Sequence, residues 1–262
     1  MAHRTGPEVP EAAARERLLR EIEAEMRATA ASTGEARLDP RVADALRRVP
    51  RERFVPPDLA HRAWDNAPLP IGRGQTISQP FIVALMTQLL HPRPTHRVLE
   101  VGAGSGYQAA VLAELAGRVV TLERIAPLAE AARRRLAELG YGNVEVHVAD
   151  GHTGWPEAAP YDGILVAAAA RGIPEALVEQ LAPGGRLVIP VGGEWGQELV
   201  LVEKGPDGGI TRRRLLPVAF VPMLDGLDGV PAYEAEPGTE GGQGGPDGVQ
   251  RHDEQADGGE TQ

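Results

Sequence analysis

Residues 11–31 (EAAARERLLREIEAEMRATAA) place Leu18, Ile22 and Met26 four apart among Ala, Arg and Glu, the spacing of a helix with one packed and one wet face. A second helix is predicted over Arg41–Arg48, with Asp39 as N-cap, Pro40 at the first helical position and Pro50 just past the end. These two read as an N-terminal helical cap. Phe81–Leu90 reads as a third helix, with Pro80 near its start. From residue 97 the texture changes. Apolar runs rich in Val, Ile and Leu alternate with Ala-rich helical stretches, the pattern of βαβ units around a parallel sheet. Strands are predicted at 97–101, 119–123, 144–150, 161–167 and 185–191, with helices around 106–116, 126–139 and 174–181. ELVLVEKG (198–205) and RRRLLPVAFVP (212–222) flank the turn-rich PDGG (206–209), which predicts an antiparallel hairpin closing the sheet. The fold class is α/β.

Composition narrows the classes. The chain has 262 residues, 42% hydrophobic and 24% charged, which suits one soluble α/β domain with appendages. No apolar run approaches the roughly 18–20 residues of a membrane span. Met1–Pro10 lacks the apolar core of a secretory signal, and there is no cysteine, so a reducing cytoplasm is the expected location. The formal charge of −10 argues against nucleic acid, although much of it is local: Glu234–Gln262 holds eight acidic residues against one Arg in a Gly-rich setting. A disordered acidic tail is predicted over 225–262.

The chemistry-bearing residues follow the strands. VLEVGAGSGYQAAVLAEL (98–115) joins a buried strand to a helix through Gly102, Gly104 and Gly106, so backbone can approach a ligand without Cβ atoms in the way. The spacing is G-x-G-x-G rather than the dinucleotide G-x-G-x-x-G, and Glu100 just before it suits a cationic or hydroxyl-bearing ligand better than a pyrophosphate. Glu123 ends the second predicted strand, where a carboxylate can accept both ribose hydroxyls of a nucleoside. Asp150, beside Gly151 at the end of the third, can accept from an adenine amine. Three strand-end carboxylates without a phosphate-binding Lys describe an S-adenosylmethionine pocket better than a nucleotide-phosphate one. The seven histidines show no metal-ligand spacing, so no metal is predicted. Ser105 lacks the G-x-S-x-G setting of a nucleophile elbow, which sets hydrolase chemistry aside.

In order, LPIGRGQTISQP (69–80), VLEVGAGSGYQAAVLAEL, ADGHTGWPEAAPYDGILV (149–166) and LAPGGRLVIPVG (181–192) resemble the protein-L-isoaspartate (D-aspartate) O-methyltransferase family over roughly residues 35–224. The first stretch is the specific one. The resemblance implies a Rossmann-like methyltransferase sheet, mostly parallel with an antiparallel strand near the C-terminus, after a leader and helix at 1–34. It implies S-adenosyl-L-methionine as cofactor and S-adenosyl-L-homocysteine as product. Glu100, Gly102, Ala103, Gly104, Ser105, Gly106, Glu123, Arg124, Asp150 and Gly151 would surround the cofactor. Thr76, Ile77 and Ser78 would cover its methyl group, with Ser78 as the active-site residue and Ser78, Gln79, Val221 and Pro222 on the substrate side. The implied partners are isoaspartyl-containing proteins and peptides, with no nucleic acid or membrane and a monomeric chain. In that family the methyl ester loses methanol to a succinimide, whose hydrolysis partly restores normal linkages. The rival readings are a carboxylate methyltransferase for one dedicated peptide or small molecule, and a non-catalytic cofactor-binding regulator. Ala167, Ala170 and His152 depart from the residues common in relatives, which bears on the substrate rim rather than the cofactor residues.

Overall fold

Runs that are apolar on both faces must be covered on both, and the structure solves this with a sheet between two layers. The computed structural model describes residues 9–193 and 195–227; the tail expected from residue 225 lies outside the described residues beyond residue 227. Helix α1 (Val9–Thr33) and α2 (Pro40–Arg48) come first, followed by a small hairpin of β1 (Leu69–Gly72) and β2 (Gln75–Ile77), then α3 (Pro80–Leu90). Next are β3 (Arg97–Val101), α4 (Tyr107–Ala113), β4 (Arg118–Glu123), α5 (Ala126–Glu138) and β5 (Val144–Val148). The chain continues with β6 (Tyr161–Val166), α6 (Glu175–Glu179), β7 (Leu181–Gly193), β8 (Gly196–Lys204) and β9 (Ile210–Val218).

The large sheet has the order β5-β4-β3-β6-β7-β8-β9. β3 to β7 run parallel, while β8 is antiparallel to both β7 and β9. After β5 the chain returns to the far side of β3. The order therefore reverses between β3 and β6, and the crevice above their C-terminal ends is where such sheets bind ligands. Side chains alternate between layers: Val98 faces α3 and α4, whereas Leu99 and Val101 face the layer containing Leu177 of α6. α1 adds Leu18, Ile22 and Met26 to the first layer, as their spacing predicts. Every residue of α3 is buried.

Several boundaries differ from the sequence expectation, each for a local reason. The strand expected to reach residue 150 stops at Val148, because the Asp150 side chain accepts from His152 N (2.9 Å) and opens a 3-10 turn over Gly151–Thr153. α6 is short, and Leu181 already belongs to β7. The strand expected over 212–222 ends at Val218; beyond it Ala169 N donates to Val221 O and Met223 N to Ala169 O, both at 2.8 Å. The loop at 69–80 contains the β1–β2 hairpin, whose turn puts Gly72, Arg73 and Gly74 all at positive φ. Fully buried Arg51 holds the approach to this hairpin, donating to Ala63 O (2.8 Å) and Ala67 O (3.3 Å).

Glu100 is fully buried between β3 and β4, opposite Thr121, whose hydroxyl donates to one carboxyl oxygen while the other has no partner. Burial pushes its pKa from 4.5 to about 8. Between those values the folded chain holds a proton that the unfolded chain has released, so this group's contribution falls as pH rises. Urea midpoints of wild type and Glu100→Gln, measured from about pH 4.5 to about pH 8, should shift progressively in favour of the variant. A gap that does not change with pH contradicts the assignment.

Candidate active site

The glycine turn after β3 is stitched to the end of β4. Gly102 N and Ala103 N both donate to Leu122 O (2.8 and 3.0 Å), and Gly104 N donates to Glu123 Oε2 (2.8 Å). The other Glu123 oxygen accepts from Ile125 N (3.0 Å). Burial raises the Glu123 carboxyl above its ordinary value, opposed by the N–H groups of Ile125 and Gly104. Gly106 starts α4 at φ 88°, and a Cβ there would also lie 3.3 Å from the Leu136 side chain of α5. Arg135, from the same helix, donates to Ser105 O (2.7 Å).

Above this turn is a cavity walled by Gly102–Ser105, Glu123 and Arg124, Gly151, the segment Thr76–Ser78, and Val221 and Pro222. Gly151 is there because nothing larger fits: a Cβ would come within 2.2 Å of Val101 Cγ1 and 3.0 Å of Met223 Cε. Three residues read from sequence as cofactor contacts stand outside this cavity. Glu100 is beneath the turn and Gly106 packs against α5, while Gln79, expected on the substrate side, lines a second cleft. Asp150 is turned toward the chain's own backbone, accepting from Gly226 N (2.7 Å) and His152 N (2.9 Å). The Arg124 guanidinium closes the same corner by donating to Gly226 O from Nε (3.2 Å) and a terminal nitrogen (3.1 Å).

The second cleft lies across Ser78. Thr76, Ser78, Ala167 and Val221 line both spaces, so these residues form the partition between them. Its far walls are mostly apolar, from Phe81, Ile82, Leu216 and Phe220, with Glu25 of α1 as the charged member. Glu25 accepts from Asn66 Nδ2 (2.7 Å) and from Gln79 Nε2 (3.3 Å), while Asn66 Oδ1 accepts from Phe81 N (3.0 Å). The turn carrying Ser78 is thus tied to α1. Phe220 is fixed by a reciprocal pair with the Gln197 side chain, at 2.6 and 3.0 Å.

Sequence reasoning missed Tyr107, Ile125, Met223 and Leu224 in the first cavity, and Glu25 and Asn66 beside the second. Ile125 could have been found, since it follows the C-terminal end of the parallel strand β4 by two residues. Glu25 carried no signal beyond its place on a helix's polar side. Among the described residues, no three His, Cys, Asp or Glu side chains gather as a metal site, and no helix is long and apolar enough to cross a membrane.

Residues 29–228 match the family described as protein-L-isoaspartate(D-aspartate) O-methyltransferase (PCMT). Protein-L-isoaspartate O-methyltransferase 2 of Polaromonas sp. is 57% identical over 207 residues, covering 79% of this chain and 98% of that protein. The protein-L-isoaspartate O-methyltransferase of Methanopyrus kandleri is 60% identical over 188 residues, covering 70% and 83%. A solved protein-L-isoaspartate O-methyltransferase superposes with a TM-score of 0.69 at 28% identity, over 81% of this chain and 66% of that one. A Plasmodium falciparum structure described as a beta-aspartate methyltransferase (PCMT), in complex with S-adenosyl-L-homocysteine, shares the fold: TM-score 0.66 at 24% identity, over 81% and 97%. The matched region contains the sheet, the glycine turn and the Ser78 partition, and the chain belongs to the protein-L-isoaspartate(D-aspartate) O-methyltransferase family.

Proposed function

We propose that the chain transfers a methyl group from S-adenosyl-L-methionine to the free carboxylate of L-isoaspartyl and D-aspartyl residues in damaged proteins, opening their repair through a succinimide. The observation that carries this reading is the partition: a donor-type cavity over a glycine turn and an acceptor cleft meet at Ser78. The cavity's chemistry fits the cofactor. Glu123 stands at the wall with only backbone N–H donors bound, which leaves lone pairs for ribose hydroxyls. Arg124 is the one cationic side chain among the described lining residues and is engaged by Gly226 O, so the wall suits a nucleoside without phosphates. Gly102, Ala103, Gly104, Ser105 and Gly151 would hold the remainder through their backbone. Asp150 would act at the adenine end once its bond to Gly226 N is exchanged.

When bound, S-adenosyl-L-methionine supplies a methyl group on an electrophilic sulfonium sulfur. The acceptor carboxylate, with a pKa near 4, is already ionised at neutral pH, so no general base is needed. In keeping with this, neither space has a His or Lys among its described lining residues. Ser78 would donate its hydroxyl proton in a hydrogen bond that aims one carboxylate oxygen, while Thr76 and Ile77 exclude water from the partition. Orientation of this kind can contribute about 7–11 kcal/mol. We take the working state to be a monomer in a reducing cytoplasm, acting on polypeptides and not on nucleic acid or membrane. The absence of cysteine and the formal charge of −10 support that setting.

Matched peptides containing isoaspartate or aspartate, incubated with enzyme and labelled methyl donor, test the reading directly: label should enter only the isoaspartyl peptide, and equal labelling or none refutes it. Ser78→Ala should lower kcat/KM by about 10- to 100-fold, the worth of one hydrogen bond to a charged group, with S-adenosyl-L-homocysteine affinity largely kept. Unchanged turnover removes the orienting role. By calorimetry, Glu123→Gln should weaken S-adenosyl-L-homocysteine binding by about 10- to 100-fold, and unaltered affinity removes Glu123 from the cofactor contacts.

A further inference from the structure

Helix α1 carries five described acidic residues, and four are matched with arginines. Glu11 pairs with Arg15 (2.8 Å), Glu16 with Arg47 (2.7 Å), Glu21 with Arg17 (3.6 Å) and Glu23 with Arg27 (3.6 Å). Glu25 differs. Its bonds come from two neutral amides, Asn66 at 2.7 Å and Gln79 at 3.3 Å to each oxygen, and no ion pair reaches it among the described residues. It is also the one of the five that lines the acceptor cleft, where the neighbouring walls are Phe81, Ile82, Leu216 and Phe220. A partly desolvated carboxylate on an apolar wall is incompletely compensated by two amide donors, and a cation placed beside it recovers that deficit. An anion placed there is repelled more strongly than it would be in open water. A neutral glutamine in the same place could still take part in amide hydrogen bonds, so the charge itself is surplus to holding the turn.

We propose that Glu25 is a specificity-determining residue of the acceptor cleft, favouring polypeptides with a lysine or arginine side chain next to the isoaspartyl residue and disfavouring those with an acidic one. This rests on the methyltransfer reading above. The isoaspartyl carboxylate is aimed at Ser78, on the partition, while the flanking residues of the same polypeptide extend along the cleft toward α1. Gln79, the residue after Ser78, donates to both Glu25 oxygens, and the carboxylate keeps lone pairs for the substrate's neighbouring side chain.

The test uses the full chain and matched isoaspartyl peptides with Lys, Gln or Glu on either side of the isoaspartate. Wild type should show a kcat/KM ratio of about tenfold or more for Lys over Glu peptides. Glu25→Gln should collapse that ratio to about twofold or less, with the Gln peptide as reference; because the ratio is taken within one enzyme, any general loss of turnover cancels. In wild type alone, raising the salt concentration should shrink the ratio, which tests the charge term even if the variant does not fold. A wild-type ratio near one, or a ratio that survives both Glu25→Gln and high salt, overturns the proposal while leaving methyl transfer intact. Absence of transfer to every isoaspartyl peptide overturns the methyltransfer reading and this inference together.

Discussion

The site depends on one buried carboxylate doing two backbone jobs. Glu123, 6% exposed, binds Gly104 N through one oxygen and Ile125 N through the other, so the glycine turn after β3 and the start of α5 after β4 are held by the same side chain. The parallel pairing of β3 with β4 brings the two strand ends level, from Arg97 opposite Arg118 to Val101 opposite Leu122. Without that register the carboxylate would not reach the turn. With it, the cavity floor is set by backbone that is already hydrogen-bonded, and a ligand meets a shape that needs little reorganisation.

The acceptor side is held differently, by side chains from elements outside the βαβ units. The β1–β2 hairpin presents Thr76 and Ile77, and the three residues at positive φ in its turn reverse the chain in very little space. Behind it, Asn66 satisfies Phe81 N, one of the first-turn N–H groups that a helix cannot satisfy within itself. Arg51 fixes the carbonyls on either side of that stretch from within the core. The chain just after Ser78 is therefore pinned twice, to α1 through Gln79 and to the core through the buried helix α3.

How much of this was legible depended on whether the physical signal was local. The strands from residue 97 onward were readable because apolar runs bounded by glycine, asparagine and proline have few alternatives. The glycine turn and Glu123 were readable because both sit at strand ends in a fixed order. The β1–β2 hairpin carries no strand signal in the sequence, since Pro70, Gly72 and Gly74 break any alternation, and its pairing is confined to a few residues. Glu100 looked like a ligand residue from its nearness to Gly102; the strand pleat instead points it into the sheet's cover, where Thr121 meets it. Asp150 followed the strand-end rule, yet its partner Gly226 is 76 residues away, beyond the reach of any local pattern. The same holds for Glu25, whose partners Asn66 and Gln79 lie 41 and 54 residues further on.

The two sides of Ser78 thus draw on different parts of the chain, and this has a bearing on descent. The cavity proposed for the methyl donor has its floor in the backbone of the glycine turn, held by Glu123 at a strand end. The cleft proposed for the acceptor is lined by side chains of α1 and α3, by the end of β9 and by the segment after it. On the proposed reading, mutation can alter which polypeptides are received while the seat of the methyl donor is inherited unchanged. A lineage can diversify its clientele along one helix and one terminal segment without re-evolving the chemistry.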